Sequence, residues 1–162
     1  MAMQKYGDLH EITKQAIKDR GVELSDIAEL VLFLQKDYVP GLTIDRCLEN
    51  VTHVLKKHEV QLAVLTGIQL DILAEKHLLE QPLQQIIEVD EGLYGVDETL
   101  ALSILNIYGT IGLTNYGYID KLKYGILHQL NDKSTGKINT FLDDIVGALA
   151  AAAASRIAHS GA

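Results

Sequence analysis

Apolar residues recur at helical spacing along most of the chain. In DIAELVLFLQKDY, Ile27, Leu30, Val31 and Leu34 form one stripe, with Ser25 placed to cap it. In IDRCLENVTHVLKKH the stripe is Ile44, Cys47, Leu48, Val51 and Leu55, and Thr43 is its cap, after a VPGLT turn. HEITKQAIKDR reads as an earlier helix stopped by Gly21. QLAVLTGIQLDILAEKHL carries apolar residues around most of its circumference, which predicts burial. Pro82 begins a short helix, PLQQIIEVDEG, and VDETLALSILNIYG follows it. GTIGLTNYG reads as a glycine-punctuated loop, and YIDKLKYGILHQLN as a further helix. The polar loop DKSTGKINT leads into INTFLDDIVGALAAAAASRIA. No segment alternates convincingly with period two. The pattern predicts an all-α, multi-helix bundle of about seven or eight helices in one domain spanning residues 1–162.

The Ala-rich C-terminal helix is the candidate for the bundle's centre, because Gly147 and the alanines let neighbours pack close on every side. That helix begins with two aspartates, Asp143 and Asp144, and a second acidic pair, Asp97 and Glu98, opens an earlier one. Two readings are open. In the first, both pairs are caps: Thr140 and Asp143 have capping-box spacing, Asp97 is an N-cap after Gly95, and Asp144 complements the helix dipole. In the second, ionised carboxylates near the centre of a bundle need a cation or a raised pKa. Acidic side chains from several helices can then hold Mg²⁺, which prefers oxygen ligands.

Composition narrows the classes. The formal net charge is −8 and no basic stripe is visible, which argues against nucleic acid and for cationic partners. Cys47 is the only cysteine and reads as a small buried hydrophobe. No apolar run approaches the roughly 20 residues of a membrane span, and the start lacks an apolar signal region. The expectation is a cytoplasmic protein, with a homo-oligomer suggested by the abundance of Leu and Ile. The six histidines show no metal-ligand spacing, and STGK lacks the glycine-rich pattern of a phosphate loop. Glu88 and Glu91 have E-x-x-E spacing, as in all-α nucleotide pyrophosphatases, but no E-x-x-D follows. Tyr94, Tyr108, Tyr116, Tyr118 and Tyr124 gather around the acidic segments and read as packing.

Four pieces in order, VPG (39–41), VDE (96–98), IDKLK (119–123) and LDDIVG (142–147), resemble the phosphatidylglycerophosphatase A family. The whole chain is most similar to its YutG-like branch, which lacks membrane spans. The resemblance implies an all-α bundle around a central helix. It also implies a Mg²⁺-dependent phosphatase, with Mn²⁺ as a substitute, acting on phosphatidylglycerophosphate or a related phosphate ester, with peripheral membrane contact at most. By the same resemblance Asp97, Asp120, Lys123 and Asp144 are catalytic, and Asp97, Glu98, Asp143 and Asp144 hold the metal. This chain departs from the family's P-G-T turn and has Tyr124 and Gly125 where prolines follow the lysine. The alternative class is a non-catalytic helical interaction or regulatory protein that retains the acidic residues as caps and core contacts.

Overall fold

The computed structural model describes residues 5–106 and 108–160, and all regular structure among them is helical. The first five helices are α1 (Leu9–Asp19), α2 (Leu24–Gln35), α3 (Ile44–Val54), α4 (His58–Glu75) and α5 (Leu83–Glu88). They are followed by α6 (Val96–Leu105), α7 (Gly109–Leu122), α8 (Ile126–Leu130) and α9 (Thr140–His159). Helix α9 is the axle. It packs against α2, α3, α4, α6, α7 and α8, while α1 and α5 lie on α4. Every residue from Thr140 to Ser155 is buried, as the alanine run predicts. Among the described residues no helix is long and apolar enough to cross a membrane.

Several local expectations hold. Thr43 accepts from the backbone N–H of Arg46 at 3.3 Å and caps α3. Gly21 has φ +85° and ends α1. Cys47 is fully buried. The start of α2 differs: Glu23 is its N-cap, and Asp26 accepts from the Glu23 N–H at 2.8 Å, so Ser25 lies inside the helix.

The larger correction concerns GTIGLTNYG. It is not a loop but the body of α7. Of its glycines, Gly112 serves contact, while Gly109 turns the chain into the helix at φ +71°. A Cβ on Gly112 would sit 3.3 Å from Tyr108 Cβ and 3.8 Å from Ser155 Cβ, so its absence brings α7 close to α9. Helix α7 then stops earlier than the pattern suggests. Lys123 takes a left-handed conformation, φ +52°, and Gly125 follows at φ +59°, so YIDKLKYGILHQLN is split between α7 and α8.

Candidate metal centre

The start of α9 is fixed by residues far away in sequence. Asp71, fully buried on α4, accepts from the backbone N–H of Phe141 at 3.0 and 3.2 Å and of Leu142 at 2.9 Å. These are donors that a helix start leaves unsatisfied. The Thr140 hydroxyl donates instead to the Ile87 carbonyl at 2.7 Å. The expected Thr140–Asp143 capping box is therefore absent, and Asn139 is the N-cap residue. Arg20 grips Glu75 with two nitrogens, at 3.0 and 2.7 Å, and donates to the Ile138 carbonyl at 2.7 Å. Glu75 in turn accepts from the Ile138 N–H at 2.7 Å. The segment leading into α9 is thus held on both its polar sides.

With its donors already met, α9 leaves the carboxyls of its first turns available. Asp120 at the end of α7 joins Asp143 and Asp144, and one oxygen from each of the three lies within 4.8 Å of the others. Lys123 donates to Asp143 Oδ2 at 2.6 Å and to Asp120 Oδ1 at 2.8 Å. The Tyr116 hydroxyl donates to Asp144 Oδ1 at 3.0 Å. That reach depends on packing: the Tyr116 ring lies over Gly147, where a Cβ would meet it at 3.5 Å. Asp97, in the first turn of α6 and buried, lies beside Asp144 and helps to hold that carboxyl's proton in place. Gly95 is the N-cap of α6, so Asp97 is not the cap the sequence suggests.

Of the residues singled out in the sequence, Asp97, Asp120, Lys123, Asp143 and Asp144 come together. Glu98 is exposed one position beyond Asp97 and lies outside the converging group. Of the tyrosines, Tyr116 reaches the site. Tyr118 and Tyr124 stack on Phe33, Tyr94 meets Phe141 edge-on, and Tyr108 accepts from Ser155 through its carbonyl towards the other end of α9. Asp71 and Tyr116 carry roles that spacing does not reveal.

The electrostatics are those of a site short of positive charge. Burial, the hydrogen bond with Asp97 and the nearby carboxylates push Asp144 up to about 9. Burial also raises Asp143, against the pull of Lys123. Burial alone would lower the Lys123 ammonium, but Asp143 and Asp120 outweigh it and raise it. Asp143 Oδ1 is buried with no hydrogen-bond partner, on a side chain 10% exposed. An orphaned carboxylate oxygen among converging carboxylates suits a hard divalent cation. Next to Asp143 is a cavity of about 240 Å³, whose polar lining includes Asp90, Asn131, Lys133, Lys137 and Asn139.

A pH dependence follows. A carboxyl raised in the folded state stabilises the fold while protonated, and that contribution is lost as pH rises towards its folded pKa. In chelator-treated protein, stability is expected to fall from pH 5 to pH 9, because folded Asp144 keeps a proton that the unfolded chain gives up. Asp71, which burial pushes up to about 7, adds to the slope below pH 7. Glu75, lowered chiefly by its bond to Arg20, already contributes fully over this range. Urea midpoints at pH 5, 7 and 9 check this, and a flat profile contradicts it.

These features coincide with a family match. A model described as phosphatidylglycerophosphatase A matches residues 20–159. The Bacillus subtilis (strain 168) protein YutG is 64% identical over 156 residues, covering 96% of this chain and 94% of that one. YpjQ of the same organism is 56% identical over 160 residues, covering 98% and 90%. The crystal structure of the low temperature requirement C protein from Listeria monocytogenes superimposes with a TM-score of 0.93 at 65% identity, covering 96% of this chain and 98% of that one. On sequence and fold together, the chain belongs to the phosphatidylglycerophosphatase A family.

Proposed function

We propose that the protein is a Mg²⁺-dependent phosphomonoester hydrolase acting on phosphatidylglycerophosphate or a related phosphate ester. The observation that carries this reading is the convergence of Asp120, Asp143 and Asp144, with Asp143 Oδ1 buried and unpartnered. Asp143, Asp144 and Asp120 would hold the ion, with Asp97 beside Asp144. Glu98, being exposed, would reach it only through a water. Bound Mg²⁺ would polarise the phosphoryl group and ready a water for attack. Lys123 would meet the phosphate oxygens as a point charge. Tyr116 fixes Asp144 through its hydrogen bond. The polar cavity beside Asp143 is sized for the alcohol portion of a small ester or a lipid headgroup. Val89, Leu93 and Val96, exposed on the segment leading into Asp97, offer an apolar surface to a lipid substrate.

The test is titration of Mg²⁺ and Mn²⁺ into chelator-treated protein, beside phosphate release from soluble esters and from phosphatidylglycerophosphate in micelles. Release that requires the ion supports the reading. A folded protein that neither binds Mg²⁺ nor releases phosphate overturns it in favour of a non-catalytic helical module.

A further inference from the structure

We infer that Lys123 is a built-in cation that holds the carboxylates needed by the metal until a phosphate draws it off, so that metal and phosphate bind cooperatively. The inference rests on the metal-site reading above. The Lys123 ammonium lies 2.6 Å from one carboxylate of the converging group and 2.8 Å from another. Mg²⁺ binds oxygen at about 2.0–2.1 Å and demands near-octahedral geometry with its remaining waters. An ammonium already bonded to two of the three ligand side chains neutralises part of their charge and repels an approaching ion. For the ion to draw Asp120 and Asp143 fully into its shell, it competes with Lys123 for both carboxylates.

Two features make its departure feasible. The side chain is 26% exposed, so it borders open space. Asp143 also keeps Oδ1 unpartnered while Oδ2 takes the ammonium, so an ion has an oxygen to approach before the lysine leaves. The left-handed backbone at Lys123, rare for a residue with a side chain, ends α7 there and turns the chain into Gly125. This places the lysine at the helix terminus rather than on its side. Once off the carboxylates, the ammonium needs an anion, and a phosphoryl group offers several acceptor oxygens. Phosphate therefore removes the competitor of the metal as well as ligating it. In the metal-free protein only a fraction of molecules has its ligands free, and apparent affinity falls by that fraction.

The experiment is calorimetric titration of Mg²⁺ into the wild type, Lys123→Met and Lys121→Met, each with and without inorganic phosphate. Lys121 is exposed two positions away and controls for loss of a nearby charge. Lys123→Met is expected to bind Mg²⁺ roughly tenfold more tightly than the wild type without phosphate, and to gain less from phosphate. Lys121→Met is expected to match the wild type. Lys123→Gln, which cannot carry the charge but keeps a polar end, guards against a folding artefact and should follow Lys123→Met. Equal or weaker binding by folded Lys123 variants overturns this inference alone, as does an equal gain in Lys121→Met. No Mg²⁺ binding by any of the proteins, with or without phosphate, overturns the metal-site reading along with it.

Discussion

Asp144→Asn is expected to reduce Mg²⁺ affinity, and Mg²⁺-dependent phosphate release with it, by at least about a hundredfold while leaving the protein folded. The substitution keeps the size of the side chain and its acceptor oxygen, so the Tyr116 hydroxyl still finds its partner. It removes the negative charge the ion needs, from the residue whose ionisation burial and neighbouring carboxylates already oppose. The same change should stabilise the chelator-treated protein at pH 9, because the variant no longer has to ionise a buried group. Loss of ion binding and gain of stability in one variant is the signature of a residue kept for function. Calorimetry and urea unfolding on one preparation read both effects. Wild-type phosphate release by the variant contradicts the assignment.

Asp71→Ala is expected to destabilise the fold by about 3 kcal/mol, since two buried backbone N–H groups lose their acceptor at once. The N–H groups of Phe141 and Leu142 lie at the start of the central helix, and Asp71 is the acceptor of both. Asp71→Asn retains an acceptor and should lose much less. The urea midpoint at pH 7 separates the two. Mg²⁺ affinity should fall in Asp71→Ala as well, because Asp143 and Asp144 lie within a turn of the uncapped residues. A variant as stable as the wild type would show that α9 is held by its packing alone.

The helical class and the buried alanine helix were legible because 3.6-residue periodicity and side-chain size act locally. Thr43 was legible as a cap for the same reason. Helix α7 was not, because Gly109, Gly112 and Gly117 look like punctuation until Gly112 is seen to face Ser155 of the partner helix. The break at Lys123 was hidden too, since no proline stands there and a lysine rarely takes a left-handed conformation. At the site, local pattern pointed to caps, and it was the family resemblance that joined Asp97, Asp120, Lys123 and Asp144. The true cap comes from Asp71, about seventy residues upstream. Its one sequence signal was a carboxylate in a helix apolar on nearly all sides, a residue needing a partner that spacing could not name.

The placement of α9 after the helices it organises has a consequence during synthesis. A ribosome adding roughly 5–20 residues per second exposes α2, α3, α4, α6 and α7 before the surface they share exists. The pairing of α3 with α9 must then close a loop of about a hundred residues, the kind of contact that forms slowly. Asp97 and Asp120 wait in solvent until Asp143 and Asp144 arrive. A divalent ion therefore cannot nucleate this bundle. On the metal-site reading it locks only a structure that has already closed, so a nascent chain starved of Mg²⁺ should reach the same fold at the same rate and differ afterwards in how long it stays there.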